Sequence, residues 1–294
     1  MTIEYQDMGM EQIAPGDPPV ELVQGGFQFL EGPVWDRRRG LLIFSDIPGL
    51  TLYQYRPNSG VSVYRENSAY PNGNTFDREG RLLTCEHAGR QVVRQEADGS
   101  LTPIAALFEG KRLNSPNDIV VRGNGSVYFT DPPYGLQPPH GVKAERELPF
   151  NGVYRLDPDG SLTLLVDDFE RPNGLAFSPS EQLLYIDDTA RGHVRVFTVA
   201  DDGRLRDDRV FAVLRGDGRG RPDGLKVDRD GNVYCTGPGG VWVFSPLGGL
   251  LGRIRVPEQT ANLAWGDDDL RTLYLTATTS LYRVRLGIPG NPAG

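Results

Sequence analysis

The stretch R-P-N-G-L-A-F at 171–177 returns as R-P-D-G-L-K-V-D at 221–228, and related stretches recur along the whole chain. In each, a short polar residue stands just before an apolar pair that begins a strand-like run. The six are Glu31 in E-G-P-V-W-D, Asn72 in P-N-G-N-T-F-D, Asn117 in S-P-N-D-I-V-V, Asn173, Asp223, and Asn262 in A-N-L-A-W-G. Their spacings are 41, 45, 56, 50 and 39 residues, the mark of one structural unit repeated about six times. Units arranged in a ring would bring these six side chains to its axis.

Within each unit the apolar residues alternate with period two, as in Ser126-Val127-Tyr128-Phe129-Thr130 and Asn232-Val233-Tyr234-Cys235-Thr236. The punctuation is Asp98-Gly99, Asn124-Gly125, Asp159-Gly160, Asp202-Gly203 and Asp230-Gly231, pairs that tolerate the positive φ of hairpin turns. Runs with helical period are hard to find. The fifth unit divides into strands at 224–228, 232–236, 241–245 and 251–256, a four-stranded antiparallel meander of the kind that forms a propeller blade. After Asn262 only three strands remain, at 263–266, 272–276 and 281–286, so the segment 20–24 is expected to supply the fourth and close the ring between the two ends of the chain. The reading is an all-β, six-bladed propeller occupying residues 1–294 as one domain, with 1–19 as an N-terminal extension. A two-sheet sandwich gives no reason for a six-fold recurrence.

Composition agrees. The chain of 294 residues carries 37 Gly and 23 Pro, and its net charge is −8 with the basic residues scattered. No electrostatic footprint for nucleic acid exists. No apolar run is long enough to span a membrane, and residues 1–19 lack the basic start and apolar stretch of a secretory signal, so a cytoplasmic protein is expected, monomeric or weakly self-associating. Cys85 and Cys235 are expected to be buried free thiols, and Trp35, Trp242 and Trp265 to pack between blades. The longest interval contains a Pro-rich insertion at 134–150, expected to lie over one mouth of the ring.

Glu31 and Asp223, converging on a channel, must meet a cation or shift their pKa values, because an unpaired buried carboxylate is costly. Asn117 and Asn173 add neutral oxygens. No His or Cys stands at the six positions, so the donor set is hard and suits Ca²⁺ or Mg²⁺ better than Zn²⁺. Asn and Asp before Gly also serve as strand-capping turn residues, and Asn72 and Asn262 are assigned that role here. Glu31 has no such local reason. His87, Glu86 and Arg90 follow the second strand of the second unit and, with Tyr134 of the insertion, are candidates to contact a substrate. No G-x-S-x-G element and no phosphate-cradling loop is present.

The motifs L-N-S-P-N-D at 113–118, F-T-D-P-P-Y-G at 129–135, R-P-N-G-L-A-F-S at 171–178 and P-D-G-L-K-V-D at 222–228 resemble the gluconolactonase family, which also includes senescence-marker protein (regucalcin) and the luciferin-regenerating enzyme. Diisopropyl-fluorophosphatase is a more distant relative. The likeness runs from Glu31 to Val284 and implies a six-bladed propeller with one divalent ion in its central channel: calcium first, with magnesium, manganese, zinc or iron as alternatives. By matching motif, Glu31, Asn173 and Asp223 correspond to metal ligands and Asn117 to an amide touching metal or substrate. The implied reaction is hydrolysis of a sugar lactone to the open acid, with Asp223 as ligand and general base. The rivals are a phosphotriesterase or other esterase on the same metal, and a non-catalytic propeller that binds a ligand on its face.

Overall fold

The alternating runs form strands, and in the computed structural model, which describes residues 2–291, those strands build six antiparallel sheets around a common axis. The first blade is Leu30–Asp36, Leu41–Asp46, Thr51–Arg56 and Gly60–Arg65. The fifth holds Leu225–Val227, Val233–Gly237, Gly240–Phe244 and Leu250–Arg255, within two residues of the expected bounds at each end. Each innermost strand touches the next, and the sixth touches the first. The Gly residues of the five expected Asx-Gly turns have φ between +76° and +90°.

Ring closure follows the expected route. Glu21–Gly25 pairs antiparallel with Ser280–Arg285, with Glu21 opposite Arg283 and Leu22 opposite Tyr282, so the first and last parts of the chain share the sixth blade. The segment ahead of it is ordered as well. Ile3–Tyr5 adds a fifth strand to the outer edge of the fifth blade, opposite Gly252 to Ile254, and the short helix Gly9–Ile13 buries Met10 and Ile13 beside it. That strand covers backbone groups which an edge would leave open.

Packing between blades uses a repeated tyrosine on the second strand. Tyr128 meets Phe177 of the next blade edge to face at 5.1 Å, Tyr234 meets Trp265 at 5.2 Å, and Tyr274 stacks on Trp35 at 5.8 Å. Each such pair contributes about 1 kcal/mol beyond its buried area. Trp242 joins the cluster of Val194, Val196 and Phe211 from the fourth blade, so all three tryptophans take the inter-blade role. Cys85 and Cys235 are buried free thiols. No helix among the described residues is long and apolar enough to cross a membrane.

Candidate active site

At the axial end of the innermost strands the regular ladder breaks. Register shifts fall between Glu31 and Val34, Pro71 and Asn74, Pro172 and Leu175, and Thr260 and Asn262. A bulge there turns one side chain out of the sheet and toward the channel. The following Gly permits close approach of the neighbouring blade: Gly174 donates its N–H to the Asp223 carbonyl at 2.8 Å, and a Cβ on Gly174 would overlap that oxygen. The polar-Gly motif is therefore a blade-contact device, not a turn.

All six axial side chains meet. Asn72 Nδ2 donates to Asn117 Oδ1 (2.7 Å), Asn117 Nδ2 to Asn173 Oδ1 (2.5 Å), Asn173 Nδ2 to Thr189 Oγ1 (3.0 Å) and Asn262 Nδ2 to Glu31 Oε2 (3.0 Å). Glu31 and Asp223 approach within hydrogen-bonding reach of each other, and Asp223 of Asn173. Asn72 and Asn262, read from sequence as structural turns, lie instead in strands with their amides in this ring; their bulges aim them inward as they do Glu31 and Asn173.

Burial dominates the electrostatics. The Glu31 carboxyl is pushed up to about 7, first by desolvation and then by the nearby Asp118 charge, against the Gly32 N–H that favours the anion. Asp223 is raised well above the usual carboxylate range by burial and by the charges of Glu31 and Asp187. No described basic residue pairs with either; Lys226 lies 3.7 Å from Asp118 instead.

The candidate substrate contacts divide sharply. Glu86 does not reach the ring. Its counterparts Asp46, Asp131 and Asp188 end the second strands of other blades, and each accepts two backbone N–H groups from the segment just before an axial residue, as Asp131 does from Asn114 and Ser115 at 2.7 Å each. Glu86 holds the same place, accepting from Gln91 Nε2 at 2.9 Å. Arg90 is likewise spent: its Nε donates to the Leu113 carbonyl at 2.7 Å and its Nη1 lies 3.3 Å from Glu147 Oε1, pinning the insertion.

His87 does reach the ring, but it is sealed. Its Nδ1 lies 2.9 Å from the His140 carbonyl oxygen, which can only accept, so the proton sits on Nδ1 and Nε2 accepts from Asn72 Nδ2 at 2.9 Å. Both nitrogens are used, and burial lowers its pKa to about 4, leaving it neutral. The insertion supplies this cover, with the His140 ring against Phe29 at 4.8 Å and Gly135 held by Ser115 Oγ at 2.9 Å. Tyr134, by contrast, carries its hydroxyl toward Asp223 and Thr189 without a hydrogen bond of normal geometry.

Three residues escaped the sequence reading. Asp187 is fully buried with neither carboxylate oxygen hydrogen-bonded, Asp118 lies near Glu31, and Thr189 holds Asn173. A signal existed for the first: at its position on the second strand every other blade but the second, which has Cys85, carries a hydroxyl, and Ser45 and Thr130 donate to the Asn72 and Asn173 carbonyls of the next blade. Only the fourth blade places a carboxyl there. Beside Asp223 and Thr189, between the fourth and fifth blades, opens a cavity of about 620 Å³.

This fold and site define a class: a six-bladed propeller whose bulged inner strands focus two buried carboxylates and four amides on its channel. Residues 29–279 match the model of the SMP-30/Gluconolactonase/LRE-like region, and the chain belongs to that family. It is 31% identical to a gluconolactonase of Zymomonas mobilis over 94% of this chain and 83% of that protein. It is 28% identical to a pentonolactonase of Haloferax volcanii, over 84% and 80% respectively. Among solved structures, a gluconolactonase of Xanthomonas campestris superposes with a TM-score of 0.92 at 37% identity, covering 97% of this chain and 95% of that one.

Proposed function

We propose that this protein hydrolyses a sugar lactone of the gluconolactone type to the aldonic acid, with one divalent ion held in the channel. The observation that carries the reading is the Glu31–Asp223 pair, two buried carboxylates beside amide oxygens with no ion-pair partner, in a member of a family whose named relatives include lactonases.

The donor set fits a hard cation. Among the described residues no three of His, Cys, Asp and Glu converge to hold an ion by themselves, so amides must complete the set. Glu31, Asn173 and Asp223 would hold it, with Asn117 as a fourth oxygen, and calcium is the best match to carboxylate and amide donors. When bound, the ion supplies Lewis-acid polarisation of the lactone carbonyl.

The protein's own groups do the rest. Asp223, facing the cavity, takes a proton from the attacking water at its carboxylate as the water oxygen bonds to the carbonyl carbon. The bond from that carbon to the ring oxygen then breaks, and the proton returns from Asp223 to the departing alkoxide. Tyr134 offers its unpartnered hydroxyl to a sugar hydroxyl, while the His87–Asn72–Asn117 chain keeps the amides oriented. A panel of aldonolactones assayed by acid release, with and without metal and corrected for spontaneous opening, tests this. Turnover that EDTA abolishes and Ca²⁺ restores is expected; no release above the uncatalysed rate removes the reading.

A further inference from the structure

The cavity beside Asp223 carries a charge pattern that the lactonase reading does not use. Its floor is acidic, yet the rest of its wall includes Arg191, Arg215 and Arg221, with Thr189 and Gln259 as neutral polar neighbours. Asp223 is the only acid on that wall. In this chain of net charge −8 many arginines are tied to carboxylates, as Arg81, Arg155, Arg195 and Arg285 are.

The cavity arginines are not tied in that way. Arg215 and Arg221 make no ion pair with a described residue, and both are exposed. They come from the loop R-G-D-G-R-G-R-P at 215–222, whose one acid, Asp217, does not line the cavity. Arg191 lies 3.7 Å from Asp188 and 3.9 Å from Glu170, but the Asp188 oxygens already accept the backbone N–H groups of Glu170, Arg171, Ala190 and Arg191. The first of these distances is too long for a hydrogen bond, and so is the second. Three guanidinium groups thus face a space large enough for a sugar lactone, across from the carboxylate that would activate water.

We infer that the preferred substrate is an anionic lactone, an aldonolactone bearing a carboxylate or a phosphate on the carbon remote from the ring carbonyl, with Arg191, Arg215 and Arg221 as its specificity residues. The inference rests on the lactonase reading and names its substrate class. A planar guanidinium binds either anion with two parallel hydrogen bonds, while the lactone carbonyl is directed to the Glu31–Asp223 end. A neutral lactone would gain only the hydroxyl contacts.

The test compares kcat/KM at low ionic strength for a neutral aldono-1,5-lactone, its terminal phosphate ester, and an aldarolactone with a terminal carboxylate, each corrected for spontaneous opening. One anionic lactone is expected to exceed the neutral one by about tenfold, the size of one charge-assisted hydrogen bond. Arg215→Gln and Arg221→Gln should each reduce the anionic-to-neutral ratio by about tenfold, and Arg221→Glu should invert it. Raising salt to roughly 0.5 M should shrink the ratio in the wild type. The anion giving the larger ratio identifies carboxylate or phosphate as the group read. A wild-type ratio at or below one, or a ratio the three variants leave unmoved, overturns the inference while the neutral-lactone rate still upholds lactonase activity. If none of the three is opened above background, the lactonase reading itself fails and takes the inference with it.

Discussion

The two sides of the channel mouth are built to opposite ends. On the side of the second and third blades the candidate contact groups are consumed: His87 is held by a carbonyl and an amide, Arg90 by Leu113 and Glu147, and the insertion closes over them. On the side of the fourth and fifth blades Asp223 and Arg221 line open space, and the buried Tyr134 hydroxyl near Asp223 has no hydrogen-bond partner. The same repeat produced both. What separates them is the long loop after the second strand of the third blade, which reaches across to His87 and Arg90 of the second blade and Phe29 beside the first. A propeller thus makes an asymmetric site from symmetric parts by plugging one side and leaving the other wet.

The comparison breaks first, if it breaks, at Asp223. Asp223→Asn on the open side should lower kcat/KM by about 10³-fold, the scale of a lost general base, measured with the best lactone of the panel. Arg90→Ala on the sealed side should leave kcat within about threefold and appear instead as lost stability. Comparable losses of turnover in both variants would mean that the sealed half takes part in the chemistry.

A second expectation concerns pH and metal. With its folded pKa raised from 4.5 to about 7, Glu31 in the metal-free protein keeps a proton that the unfolded chain has released. Stability therefore falls as pH rises through that window, and the full cost is present above it. A divalent ion must displace this proton. The gain in Tm on adding Ca²⁺ should accordingly be small at pH 5 and large at pH 8, and Glu31→Gln should flatten the dependence; differential scanning fluorimetry reads both. A gain that shrinks with rising pH would place the ion away from Glu31.

Smaller effects sharpen the picture. Arg90→Ala should cost about 2 kcal/mol in urea unfolding, because it leaves the Leu113 carbonyl without its donor and frees the insertion. Tyr134→Phe removes one neutral hydrogen bond to a sugar hydroxyl and should raise KM about fivefold with little change in kcat. If His87→Gln, on the sealed side, raised KM more than Tyr134→Phe, the assignment of the two sides would need reversal.

Much of this was legible in the residues. Glu31 stood out because Glu is a poor turn residue in a place where its counterparts are Asn or Asp, and ring closure followed from counting the strands after Asn262. Glu86 stays out of the ring for a reason the chain itself contained, since Asp46, Asp131 and Asp188 occupy the same point of their blades and hold the segments before the axial residues. Asp187 was missed because an acid next to another acid, in Tyr185-Ile186-Asp187-Asp188, looks like a solvated strand end. Burial without a partner marks it, together with the hydroxyls that most of its counterparts carry.

By itself the sequence determined the repeat, the strand alternation, the closing segment and the polar residue at each axial point, because these depend on local periodicity and on turn chemistry. The tertiary structure alone decided which of those polar groups are satisfied. His87 and Tyr134 were equal candidates on paper, and they differ because one faces the His140 carbonyl across 53 residues of chain while the other's hydroxyl is buried near Asp223 with no partner. Hydrogen-bond satisfaction and desolvation are set by neighbours distant in sequence, and no local pattern records them.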